Sequence, residues 1–365
     1  MMTPQGDSAR SPASLSELTS LREGKTMAVR ALLVGAGGMG KGWGRNLRDH
    51  HSTVVAGWVD IRPGAAAEAA AEVGIEPEYV GTDLEHAIRA VGPDFVVDVT
   101  APTGHCEVTT TALGMGLPVL GEKPMATSLA EAKRMVSASD AAGQLYMVSQ
   151  SRRYDGRLQA YRRLIDSNLG ALGILNSDFY IGAHFGGFRD EMEHVLLVDM
   201  AIHTFDAARY LSQADPVSVY AEEFNPSWSW YQGSASATCL FEMTDGLRYT
   251  YRGSWCAEGA PSSWEGNWRA VGGNGTALWD GFGDPNGQVV VEPGGFNSIV
   301  EDIAESSLPV RSGIAGALHD FLDALETGAT PNGECHDNIK SFAMVCAAVE
   351  SSIRGQRVEI AELMS

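Results

Sequence analysis

A glycine-rich turn constrains this chain more than any other feature. Residues Gly35-Ala36-Gly37-Gly38-Met39-Gly40 follow a short apolar run at 31–35 and precede a stretch of helix length. In that setting each glycine has a distinct role. Gly35 permits a tight turn, Gly37 lets backbone approach a pyrophosphate, and Gly40 lets a helix pack closely on a strand. Gly38 and Met39 share the loop, where a helix N-terminus would offer free N–H groups to an anion. A second apolar run, 54–60, ends on Asp60, about 20 residues beyond Gly40, where a carboxylate accepts hydrogen bonds from an adenosine ribose. The chain therefore reads as a dinucleotide-binding α/β protein. The Asp60 charge opposes a 2′-phosphate and favours NAD. NADP is the alternative, because Arg62 is either a solvated charge or a partner for such a phosphate.

Strand-length apolar runs at 95–100, 118–121 and 145–149 alternate with helical stretches at 64–73, 84–91, 108–115 and 129–142. That alternation implies a parallel sheet. The texture changes after about residue 170. Runs at 174–181, 218–223, 235–243, 247–255 and 268–271 are strand-like, and Thr244-Asp245-Gly246 supplies a hairpin turn. Helices at 315–327 and 337–354 close the chain. The expected fold is α/β: an N-terminal Rossmann parallel sheet at 27–150, then an α/β domain at 151–365 with a large open, mainly antiparallel sheet and C-terminal helices within 315–354. Residues 1–26 are Ser/Pro/Thr-rich and are expected to form a flexible tail. The glycines of Lys41-Gly42-Trp43-Gly44 weaken a helix start, so an irregular segment is expected there, with Trp43 near the cofactor.

Charge and composition exclude several classes. Lys+Arg is 26 against 46 Asp+Glu, a formal charge of −20, which opposes binding to nucleic acid and to anionic lipid. No apolar run approaches the ~20 residues of a membrane span. The five Cys are scattered without a CxxC, so neither a disulfide framework nor a zinc ribbon is expected, and a reduced cytoplasm fits. No Cys/His spacing suggests a metal, His50-His51 reads as a solvated loop, and Cys106 reads as a packed thiol. Of eight Trp, six lie between Trp228 and Trp279. They are expected to fill a sheet face that packs on another subunit, in a homodimer or homotetramer, with stacking on sugar as the alternative.

Two segments carry the chemistry. Gly121-Glu122-Lys123-Pro124 follows a strand, at the sheet end where ligands sit, and aims Lys123 into the cofactor crevice. In 196–206, Asp199 and His203 are four apart and would share one helix face. A carboxylate beside His203 would fix its tautomer and make it more basic, suiting it to take a proton from an alcohol. Asp206 would brace His203 from behind. The glycine-rich segment 182–190 reads as a loop that sets substrate choice, with His184 and Arg189 as hydroxyl or carboxylate contacts. Arg152 and Arg153 follow a strand end, so one is expected to reach the pocket and the other to be a surface charge.

With GAGGMG, GEKP and DMAIHTFD in this order, the chain resembles the Gfo/Idh/MocA family of oxidoreductases from residue 28 to about 360. The segment Val97 to His105 is similar to the family's fourth-strand motif. The resemblance implies NAD(P)-dependent hydride transfer on a sugar, inositol or related cyclic polyol. It implies Lys123, Asp199 and His203 as the catalytic set, with Thr100, Pro102, His105 and Glu122 lining the nicotinamide side. Two other readings compete. One is an NAD-assisted enzyme that oxidises its sugar transiently, then eliminates a glycoside or epimerises. The other is a cofactor-binding regulator without turnover.

Overall fold

The computed structural model describes residues 28–365, so the tail expected at 1–26 lies outside the described residues. Strands β1 (Val29–Val34), β2 (Thr53–Val59), β3 (Tyr79–Gly81), β4 (Phe95–Asp98), β5 (Val119–Gly121) and β6 (Tyr146–Val148) form one sheet in the order β3-β2-β1-β4-β5-β6. Every pairing in it is parallel. The order reverses between β1 and β4, and ligands bind at such switch points, beyond the carboxyl ends of the strands. Helices α1 (Gly38–Asp49), α2 (Ala65–Val73), α3 (Leu84–Val91), α4 (Pro102–Gly114) and α5 (Leu129–Ala142) connect the strands.

The irregular segment expected at 41–44 is instead part of a continuous α1. Its glycines serve packing. A Cβ on Gly40 would stand 2.2 Å from the Gly35 carbonyl oxygen, and one on Gly44 would stand 2.9 Å from the Trp58 ring. The helix gives up propensity in order to approach the sheet closely. His50, expected in solvent, is buried just beyond α1, where Ser52 contacts its Nδ1.

The second half begins with helix α6 (Gly156–Asn168). Its sheet comprises β7 (Leu172–Tyr180), β8 (Pro216–Phe224), β9 (Ser236–Met243), β10 (Arg248–Ser254), β11 (Asn267–Gly272), β12 (Gly275–Trp279), β13 (Asn286–Glu292), β14 (Ile299–Ala304) and β15 (Val358–Glu359). The spatial order is β14-β13-β12-β11-β7-β10-β9-β8-β15. Only β7 and β10 run parallel; the other neighbours are antiparallel. The turn at 244–246 is as expected, with Asp245 and Gly246 both left-handed at φ 59° and 77°. Strands β13 and β14 escape a sequence reading because they are largely exposed and show no clean apolar alternation.

Helices α7 (Ile202–Ser212) and α9 (Cys335–Arg354) cover the inner face of this sheet with α6. Trp255, Trp268 and Trp279 are buried on that inner face, which corrects their assignment to a subunit interface. The outer face instead exposes Ile174, Tyr220, Phe224 and Leu240 among polar neighbours. Helix α8 (Gly313–Thr327) returns to the first sheet, where Phe321 meets Phe95 with ring centroids 5.4 Å apart. Helix α9 buries Ile339 and Phe342 against the first sheet's cluster and Ala343 and Ala347 in the second, so packing ties the halves together. Among the described residues no helix is long and apolar enough to cross a membrane.

Candidate active site

The turn after β1 is shaped from both sides. Gly35 sits at φ +103°, and a Cβ there would lie 2.5 Å from the Val99 carbonyl oxygen. Gly37 and Gly38 have nothing within 4 Å of their Cβ positions and are exposed together with Met39. That open side, at the N-terminus of α1, is the cradle a pyrophosphate fits. Asp60 is buried at the end of β2 and accepts from the Ala36 N–H at 2.7 Å. Arg62 lies over it, with Nε 2.9 Å from Oδ1 and Nη2 3.0 Å from Oδ2. Hydrogen bonding from Arg62 holds the Asp60 carboxyl down at about 2, despite its burial. The loop therefore fits a dinucleotide with free ribose hydroxyls.

The residues expected on the nicotinamide side divide. Thr100 and the exposed Pro102 stand at the mouth, and Thr100 Oγ1 donates to Asp98 at 2.7 Å. His105 turns inward, its Nδ1 3.1 Å from Asp98. Burial would depress its pKa, and the Asp98 charge more than reverses that. Glu122 is buried beneath the strand end and accepts from the Trp43 indole at 2.7 Å. Burial pushes its pKa up, while Trp43 and Lys123 oppose. Trp43 therefore lies behind the crevice, joined to it through Glu122.

Lys123 crosses from the first half to the second. Its Nζ donates to the Asp199 carbonyl at 3.1 Å and stands 3.7 Å from the Asp199 carboxylate. Burial lowers the Lys123 pKa, Asp199 and Glu122 raise it, and Arg189 and Arg152 lower it further.

Asp199 does not brace His203. Its carboxylate faces Arg189, at 2.7 Å from Nε and 3.4 Å from Nη2. The reason is local: 196–201 form a π-helix ahead of α7, and in its wider i→i+5 turns residues four apart no longer stack. His203 Nδ1 is buried without a hydrogen-bond partner. The expected rise in basicity is reversed as well. Burial, then the Lys123 and Arg152 charges, drive the imidazole well below its ordinary range. A neutral His203 is thus enforced by its surroundings.

The two arginines also separate. Arg152 is partly buried at the cluster, with Nε 3.3 Å from Glu265 and Nη2 3.5 Å from the Met200 sulfur. Arg153 is no surface charge and is not free for a substrate. It binds Asp206 at 2.6 and 2.8 Å and Asp337 at 2.9 Å, locking α7 to α9. Asp206 therefore braces Arg153, and Ser341 completes it at 2.7 Å. His184 is exposed, 2.6 Å from Glu258 and stacked on Trp230 at 3.7 Å. Sequence reasoning missed Glu265, for which no motif exists, although its neighbour Trp264 belongs to the Trp group at 228–279. Only the fold brings that loop to Arg152.

Among the described residues, Glu334, Cys335 and His336 place ligand-capable atoms within 4.8 Å of one another. Glu334 there caps α9 by accepting from the His336 N–H at 2.9 Å.

Residues 29–150 match the profile of an oxidoreductase family with an NAD-binding Rossmann fold, and 158–278 match the GFO/IDH/MocA C-terminal domain. An uncharacterised protein of Sinorhizobium fredii is 28% identical over 93% of this chain and 97% of its own. D-apiose dehydrogenase of Rhizobium rhizogenes is 26% identical over 80% of this chain and 86% of its own. The solved structure of an Agrobacterium radiobacter oxidoreductase with NAD+, L-tartaric acid and magnesium superposes with TM-score 0.79 at 23% identity, covering 92% of this chain and all (100%) of that one.

Proposed function

The chain belongs to the Gfo/Idh/MocA family of NAD-dependent oxidoreductases, and from that premise we propose that it oxidises a ring carbinol of a sugar, inositol or related cyclic polyol, or reduces the corresponding ketone. The observation that carries this reading is Lys123: it leaves the end of β5 at the switch-point side of the sheet and meets Asp199 of the second half at 3.7 Å. Bound NAD supplies the hydride acceptor. Lys123 donates a hydrogen bond to the carbinol oxygen and stabilises the charge that develops there. His203, kept neutral, takes the hydroxyl proton as the carbon loses its hydride. With Nδ1 buried, Nε2 is the nitrogen left for that transfer. Asp199 holds the Lys123 ammonium in place from the far side, and Arg189 in turn pairs with the Asp199 carboxylate.

NAD is the preferred cofactor, because the buried Asp60 would face a 2′-phosphate and Arg62 is already spoken for. The apolar residues on the outer face of the large sheet support a homodimer or homotetramer. Five unpaired cysteines support a reducing cytoplasm. The test is net NADH formation from a panel of sugars, inositols and sugar acids in excess over enzyme. Stoichiometric NADH supports the dehydrogenase reading. Product without net NADH would replace it with a transient-oxidation cycle.

A further inference from the structure

The substrate loop is fixed at one end and carries aromatic rings toward solvent. Its Ala183 N–H donates to the Trp255 carbonyl at 3.0 Å, and its carbonyl accepts from both the Trp230 indole and the Tyr231 hydroxyl. Beyond that anchor stands Phe185, 46% exposed, with its ring edge-on to Trp255 at 5.2 Å and 6.4 Å from Trp264. Trp264 is 52% exposed and edge-on to Trp255 at 5.7 Å. These rings pack on the buried Trp255, so they are held in place while both residues remain about half exposed.

Both exposed rings lead directly to the reacting groups. Trp264 adjoins Glu265, which pairs with Arg152. Phe185 lies under the Arg189 guanidinium at 5.0 Å, and Arg189 holds Asp199. Gly186 and Gly187, both at φ +68°, turn the chain between Phe185 and Arg189. The aromatic pair therefore adjoins both arginine arms of the site, Trp264 as the chain neighbour of Glu265 and Phe185 in direct contact with Arg189. A single sugar ring held by Lys123 and His203 has no need of it. A second ring attached to the first would.

Resting on the dehydrogenase reading above, we propose that Phe185 and Trp264 form a stacking subsite for a flat apolar ring face joined to the reacting sugar, so that the substrate is a glycoside rather than a free monosaccharide. That ring face belongs either to a second sugar, through its C–H surface, or to an aromatic aglycone.

The experiment uses the full-length protein saturated with NAD. Dissociation constants are measured by calorimetry for methyl, phenyl and β-1,4-glucosyl glycosides of glucose, galactose and xylose. In at least one sugar series the phenyl or glucosyl form is expected to bind about tenfold more tightly than the methyl form. A phenyl advantage alone identifies an aglycone, and a glucosyl advantage alone identifies a second sugar. Trp264→Ala should bring that ratio close to one, and Trp264→Phe should restore most of it. NAD affinity reports that both variants are folded. Methyl forms binding as well as the larger ones in every series, no binding by any glycoside, or a ratio that survives Trp264→Ala, overturns the subsite. NADH formation from the free sugars and the glycosides taken together scores the dehydrogenase reading, whichever form binds more tightly, so the two fail independently.

Discussion

The two halves of the site are built by different means. At the phosphate loop the backbone does the work: at Gly35 and Gly40 the nearest obstacles to a Cβ are main-chain carbonyls, and at Gly37 the Cβ position is open. At the carbinol side, long polar side chains converge from distant parts of the chain, Lys123 on Asp199 across 76 positions and Arg153 on Asp206 across 53. A backbone-built site leaves a compact motif in sequence. A site built from side chains depends on the whole fold and on the order in which charges pair.

Substitutions can break this contrast. Lys123→Ala should lower kcat by about 10³-fold, since in the proposed mechanism it removes the donor to the reacting oxygen. NAD affinity, set by the loop, should change far less, which titration of cofactor fluorescence would check. Arg153→Met should cost ~3–5 kcal/mol of stability in denaturant unfolding, because Asp206 would be left as an uncompensated buried charge. Arg152→Met, by contrast, should act mainly on turnover.

Within the loop, Gly40→Ala should weaken both stability, by ~1–3 kcal/mol, and NAD binding, because its Cβ collides with the Gly35 carbonyl. Gly37→Ala has room for its Cβ, so the melting temperature should hold while the KM for NAD rises.

The pH profile gives a subtler test. In the proposed mechanism His203 must be neutral to accept a proton, and burial with two nearby cations lowers its pKa. The acid limb of kcat/KM should therefore fall below the ordinary imidazole range. Removing the Arg152 charge raises the His203 pKa, so in Arg152→Met that limb should move to higher pH. A limb that moved down, or stayed fixed, would mean that His203 is not the titrating base. The smallest effect is expected at Arg62: because it is an exposed partner of Asp60, Arg62→Ala should shift the KM for NAD by only a few fold.

The same contrast explains what the sequence revealed. The parallel sheet, the hairpin at 244–246 and the phosphate loop follow from local periodicity and turn chemistry, and all three stand in the structure. Lys123 and Asp199 were legible as residues, and the structure joins them. Their pairing with Arg189 was not legible, because the helical spacing rule assumes α geometry and the π-helix at 196–201 departs from it. Arg152 and Arg153 are adjacent and chemically alike, yet one faces Glu265 at the cluster and the other is buried between helices. Nothing local distinguishes them. The Trp residues at 255, 268 and 279 were legible as a cluster, but which face of the sheet they occupy is fixed by helices elsewhere in the chain.

Whether hydrogen passes directly from the ring carbon to the cofactor can be followed with an isotope. A substrate taken from the panel is deuterated at its reacting carbon and turned over with NAD. With direct hydride transfer the deuterium appears in the NADH formed and single-turnover oxidation slows. Deuterium released to water, with no label in the cofactor, would contradict it.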